Sequence, residues 1–230
     1  MDVATRVRML VVPGLLACGC GAGQTAADPG ASTAVLYLNF GGAQLHASDQ
    51  DDASDDAAGV PELVGPQAAY AEAHACDEVA EVVREHFSGF ELEVVCARPT
   101  TGPYTMVLVS TVDAGIDTEA GLAWRTGAPD CGNDNPSNVG VVEVLRGMGV
   151  DAPTIAMAVS HVAGIGFGLD EDHDFPFDLA SFDVRVESTW VDMCFPLFDE
   201  ISCPDQNVEQ CGSEEMQNSY RVLASVLGER

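Results

Sequence analysis

His161 stands among apolar residues in PTIAMAVSHVAGIGFG (153–168), and the chain then turns acidic in LDEDHDFPFD (169–178). An imidazole on a helix, followed by carboxylates and a second imidazole, is the residue chemistry of a divalent-metal site. Neutral imidazole and carboxylate oxygen are common zinc ligands, and a carboxylate-rich run suits calcium. His161, Glu171 and His173 are therefore the candidate metal ligands. Two plainer readings stand beside this one. A lone histidine on an apolar helix is commonly a hydrogen-bonded core residue, and an acidic run is commonly a hydrated loop. Other catalytic sets fail on spacing. Ser160 and His161 are adjacent, so their side chains diverge on a helix. No GxSxG elbow and no P-loop occur, and Gly164, Gly166 and Gly168 follow a helical pattern rather than a strand, which excludes a dinucleotide turn.

The elements that must hold these residues read as follows. AVLYLNF (34–40) is an aromatic and aliphatic strand. QAAYAEAHACDEVAEVVREHF (67–87) has an apolar stripe at helical spacing, with His74 and His86 as surface or packing residues. GFELEVVCA (89–97) alternates Phe90, Leu92, Val94 and Cys96 with charge, as a half-exposed strand does. YTMVLVSTV (104–112) and VGVVEVL (139–145) are apolar strands, and GAPDCGNDNPSN (127–138) between them is a turn-rich loop. Residues 151–168 start a helix with Pro153 in its first turn. An irregular cysteine-rich segment follows, then a helix over 213–228 with Ser213 as its cap and Gly228 as its stop. ASDQDDASDDAAG (47–59) lacks the ligand spacing and turn glycine of an EF-hand loop and is expected to be solvated. The order predicts one α+β domain, a sheet covered by helices.

Composition bounds the function. Acids number 37 against 9 bases, all of them arginine, for a net charge of −28. That excludes phosphate-backbone recognition, hence nucleic acid, and it excludes electrostatic docking on anionic lipid. The chain starts with Arg6 and Arg8, then an apolar run too short to span a bilayer, ending in LLAC (15–18). This start resembles a bacterial lipobox. It implies a lipoprotein signal peptide over 1–17, lipidation of Cys18, a Gly- and Ala-rich flexible tether over 18–32 and a folded domain from 33 to 230. The expected location is outside the cytoplasm, at the outer membrane or cell surface, with the membrane reached through the lipid alone. Six cysteines remain beyond the tether: Cys76, Cys96, Cys131, Cys194, Cys203 and Cys211. An even set in an exported chain reads as three disulfides of open connectivity. Cys76–Cys96 would tie a helix to the next strand, and the short loop favours Cys203–Cys211.

Read from His161, the segment resembles the metzincin motif HExxHxxGxxH. His161 stands at the first ligand position, Val162 at the general base, Ile165 at the second ligand, Gly168 at the turn glycine and Glu171 at the third ligand, with His173 just beyond. WVDMC (190–194) resembles the entry to a methionine turn, with Met193 as its methionine. LYLNFGG, GAPDCGNDNPSNVGVVEV and QNSYRVLASVLG extend the likeness to secreted, matrixin-like bacterial metzincins. The resemblance implies a zincin-like domain, with a mixed twisted sheet, an active-site-type helix at 153–167 and a C-terminal helix. It does not imply the reaction. Valine accepts no proton and isoleucine binds no zinc, and losing the base alone costs roughly 10²–10⁴-fold. The expectation is a pseudo-peptidase without a required cofactor, acting on a peptide or protein partner. Two alternatives stay open: a zinc endopeptidase with a site rebuilt from His161, Glu171 and His173, and an acidic lipoprotein that binds calcium or another divalent cation.

Overall fold

The computed structural model describes residues 33–114, 121–127, 129–170, 178–180, 188–197 and 201–230. The lipobox, Cys18, the tether, Glu171 and His173 lie outside the described residues.

Five strands make the main sheet: β1 (Ala34–Asn39), β5 (Leu92–Val95), β6 (Thr105–Val112), β7 (Leu122–Arg125) and β8 (Val139–Leu145), in the order β5-β1-β6-β8-β7. The first four in that order run parallel, and β7 is antiparallel to β8. Interior strands of a parallel sheet are covered on both faces and are therefore mostly apolar. β6 and β8 fit this, with every residue but the last of each buried. The fold is thus α+β with a mixed sheet.

Strand alternation splits the core in two. Leu36, Leu38, Val107, Val109, Val142 and Val144 face a helical layer. Tyr37, Met106, Leu108, Val139 and Val141 face the opposite side. The helical layer holds α1 (Cys76–His86), α2 (Ala152–Gly166) and α4 (Ser219–Leu227). α1 carries Asp77 and Glu78 in its first turn and Arg84 and His86 in its last, matching the helix dipole. It buries Val79, Ala80 and Val83. In α2 the Asp151 side chain accepts the Thr154 N–H at 2.9 Å, and Ile155 through Ile165 are all buried. Gly140 on β8 lets α2 sit close to the sheet, since a Cβ there would lie 2.3 Å from Val162 Cγ1.

The acidic segment does not behave as a solvated loop. β2 (Ala43–Ala47), β3 (Ala57–Ala58) and β4 (Gly65–Gln67) form a small sheet in the order β3-β2-β4. Ala53, Ala58, Leu45 and Leu63 cover the second face of the main sheet. The acids turn outward or inward onto backbone. Asp52 accepts the Ser54 N–H, and Asp51 accepts the Gly59 N–H at 2.7 Å and the Val139 N–H at 3.0 Å. Arg98 clamps the cap: it donates to Asp56, the Ala53 carbonyl and Tyr104 Oη, and Asp56 holds its guanidinium protonated beyond the usual range. Buried Ala53, Ala57 and Ala58 let this segment cover a sheet, a signal outweighed in the sequence by its charge.

Helix starts differ in two places. Residues 67–75 are not helical: the Tyr70 ring meets Phe40 at 5.2 Å, the Tyr70 N–H donates to the Phe40 carbonyl, and the Ala71 N–H donates to Thr111 Oγ1. These tertiary bonds hold the segment extended until Cys76. The last helix begins at Ser219 rather than 213, because Asn218 caps it by accepting the Arg221 N–H at 3.0 Å. Residues Met216–Gln217 instead form β10, paired with β9 (Phe195–Pro196). A short helix, α3 (Pro204–Cys211), occupies the segment expected to be irregular.

Three disulfides form, as the cysteine count predicts. Cys76–Cys96 is one of them. The expected Cys203–Cys211 is not; the pairs are Cys131–Cys203 and Cys194–Cys211. The reason is α3. Cys203 and Cys211 stand at its two ends, so the rise of about 1.5 Å per residue carries their Cα atoms beyond the reach of roughly 7 Å that a disulfide allows.

Candidate functional site

α2 presents His161 to the end of the sheet where β7 lies. The ring is 1% exposed, its Nδ1–H donates to the Leu179 carbonyl at 2.8 Å, and it sits 5.0 Å from the Trp124 ring on β7. That bond fixes Nε2 as the basic nitrogen of the neutral ring. His161 is therefore a hydrogen-bonded core histidine held in one tautomer.

The neighbouring template positions are occupied by packing groups. Val162, at the base position, is buried with its Cγ1 directed at Gly140. Ile165, at the second ligand position, is buried as well. These two side chains do not fit a zinc ion or its attacking water. Among the described residues no group of three His, Cys, Asp or Glu side chains is arranged to hold a metal ion. Of the set His161, Glu171 and His173, only His161 lies among the described residues.

The chain reverses sharply after α2. Phe167 and Gly168 close the helix with bonds to Ala163, Gly164 and Ile165 carbonyls. Gly168 has φ +94°, and a Cβ there would lie 2.7 Å from the Asp130 carbonyl oxygen. No residue with a side chain suits that position.

Met193 does not form a floor beneath His161. It is 57% exposed, so it is neither core filling nor a buried methionine turn. Asp192 faces outward to Arg221 at 2.9 Å and accepts from Asn218 Nδ2, which turns the adjacent Met193 to solvent. Trp190 takes the inward place, its ring against Gly164 of α2 and against Phe87 at 5.3 Å. Gly164 is the sequence signal for it: a helical glycine that makes room for a large ring.

Two buried carboxylates were not anticipated. Asp170 accepts from the Ser202 and Cys203 N–H groups and from Asn207 Nδ2, while its own backbone is bonded twice by Gln217. Asp178 accepts from Ser219 Oγ and the Ala180 N–H. Both lie in the acidic run read as ligands or hydrated loop, and both work as structural acceptors. A cleft of about 430 Å³ nearby is lined by Asp49, Asp51, Asp130 and Asp134. Its inner carboxylates are spent on the chain itself, since Asp130 bonds the Asn135 N–H and Asn138 Nδ2 as Asp51 bonds Gly59 and Val139.

One residue back from His161, Ser160 Oγ shares a hydrogen bond of 2.8 Å with His86 Nδ1 across the α1–α2 contact. Ser160 is fully buried and out of reach of a substrate, so this is a helix-to-helix tie rather than a nucleophile and base. Burial pushes the His86 pKa down. Below the ordinary imidazole pKa of about 6.5, the unfolded chain binds a proton at this site before the folded one does. Stability is thus present above that pH and is lost as pH falls through the folded value. Thermal melts at about pH 7.5 and about pH 5, on either side of the free imidazole value, should show a larger loss in the wild type than in His86→Gln. Equal losses would remove His86 from the acid sensitivity.

No protein-family model matches the chain, and no curated protein matches it either.

Proposed function

We propose that the chain is an exported, lipid-anchored protein with a metzincin-like fold that has lost peptide cleavage and acts by binding a peptide or protein. The observation that carries this reading is the pair Val162 and Ile165. Hydrocarbon side chains, packed into the core, stand where the motif needs a carboxylate and an imidazole. General-base and zinc-water chemistry have no acceptor at either position.

The likeness to the family draws support from the arrangement around them. A buried helix lies across a mixed sheet whose terminal strand is antiparallel, and the chain reverses at a glycine that nothing else can replace. Three disulfides accord with export. No helix among the described residues is long and apolar enough to cross a membrane. A partner strand would add at a sheet edge.

One observation favours a second reading, a rebuilt zinc site. The His161 Nδ1–H bond to a backbone carbonyl is the orientation that metal-bound histidines adopt. Metal analysis separates the two. Protein purified without added zinc and then dialysed against it should retain no stoichiometric ion. One equivalent of zinc in the wild type, absent from His161→Ala, would establish the rebuilt site and overturn the first reading.

A further inference from the structure

At the end of the sheet away from β7, the arginines do something unusual for so acidic a chain. Arg98, Arg125, Arg146 and Arg221 each pair with a carboxylate. Arg84 and Arg230 instead spend their guanidiniums on main-chain carbonyls of β5. Arg84 donates from Nε and Nη2 to the Val94 carbonyl at 3.2 and 2.8 Å, and Arg230 donates from Nη2 to the Leu92 carbonyl at 2.9 Å. Leu92 and Val94 are alternate residues, so these carbonyls stand about 7 Å apart on the strand edge that faces away from β1. The segment carrying Arg230 is itself laid along the start of β5. The Glu91 N–H donates to the Gly228 carbonyl, Phe90 bridges Glu229, and the Arg230 N–H donates to the Gly89 carbonyl. A cleft of about 790 Å³ follows this edge, lined by both arginines, Phe87 and Val95.

An edge strand with open carbonyls is a template for another strand. We propose that Arg84 and the Gly228–Arg230 segment form a clasp that closes the β5 edge against a second copy of this chain. With the clasp removed, β5 of one copy would pair with β5 of another about a two-fold axis, the simplest self-complementary contact. Glu93, exposed on β5, adds a second barrier, because it would approach its own mate in such a pair. The clasp stands whether the chain cuts peptides or binds them, since it involves neither α2 nor β7.

The test is the molar mass of the purified chain by sedimentation across rising concentration. Wild type should stay monomeric. Arg84→Ala with Arg230→Ala should show a concentration-dependent dimer, and adding Glu93→Gln should strengthen that dimer a few-fold, in line with the cost of facing like charges. Far-UV circular dichroism checks the fold. If the double variant fails to fold, Arg230→Ala alone, at an exposed residue, carries the same test. Variants that keep the fold and remain monomeric over the same range overturn the proposal. So does a wild type that dimerises as readily as its variants.

Discussion

Asp170→Ala should destabilise the protein by about 3–5 kcal/mol, the combined order of stranding several buried hydrogen-bond donors. The carboxylate is 3% exposed and accepts three donors: the N–H groups of Ser202 and Cys203 and the Asn207 side chain. Alanine leaves all three without an acceptor in a buried site, at roughly 1–3 kcal/mol for each bond lost. Those donors begin α3, and the same aspartate's backbone is held by Gln217 of β10. The loss should therefore spread through the disulfide-bonded region rather than stay local. Asp170→Asn is the control. Its amide keeps one acceptor but turns a donor toward groups that are already donors, so a smaller loss of about 1–3 kcal/mol is expected. Urea unfolding followed by fluorescence measures both. A loss in Asp170→Ala no greater than that of an exposed acid such as Glu209→Ala would show that the site relaxes or hydrates.

Gly168→Ala is the second large effect, expected near 3 kcal/mol. Its backbone lies at φ +94°, which costs a residue with a Cβ about 1–3 kcal/mol. The new methyl would also press on the Asp130 carbonyl at 2.7 Å. That carbonyl cannot easily retreat. Cys131 beside it is bonded to Cys203, and the Asp130 side chain is engaged by Asn135 and Asn138. For a chain of this size, such a loss lowers Tm by roughly 6–12 °C. Calorimetry tests it. A shift within a degree or two of wild type would mean that the turn after α2 is not fixed by this glycine.

How far the sequence went is decided by where local pattern meets tertiary demand. β6 and β8 were legible because a strand covered on both faces is mostly apolar, as TMVLVSTV and VGVVEVL are. β5 was legible because Glu93 alternates with Leu92 and Val94. α2 was legible from its apolar length and Pro153. The start of α1 was not, because Tyr70 and Ala71 are held by Phe40 and Thr111, residues remote in sequence. β7 was missed: four residues, LAWR, carry too little pattern to mark a strand without β8 beside them. The disulfide pairing failed because α3 was read as irregular, and a helix separates cysteines that a loop would bring together.

At the site the balance was similar. The substitutions at 162 and 165 could be read at once, and their burial follows from hydrophobicity. The bond from His161 to Leu179 could not, since it joins α2 to a segment past the acidic run. Met193 misled because its neighbours suggested a turn, whereas Asp192 and Trp190 decide which side chain points inward.

The central claim is that the scaffold persists without the reaction. The most direct measurement is hydrolysis of an unstructured protein substrate such as casein by the purified chain with zinc, with and without a zinc chelator, beside a His161→Ala control. The account predicts no cleavage above the control in either condition. Cleavage that the chelator abolishes and that His161→Ala lacks would contradict it.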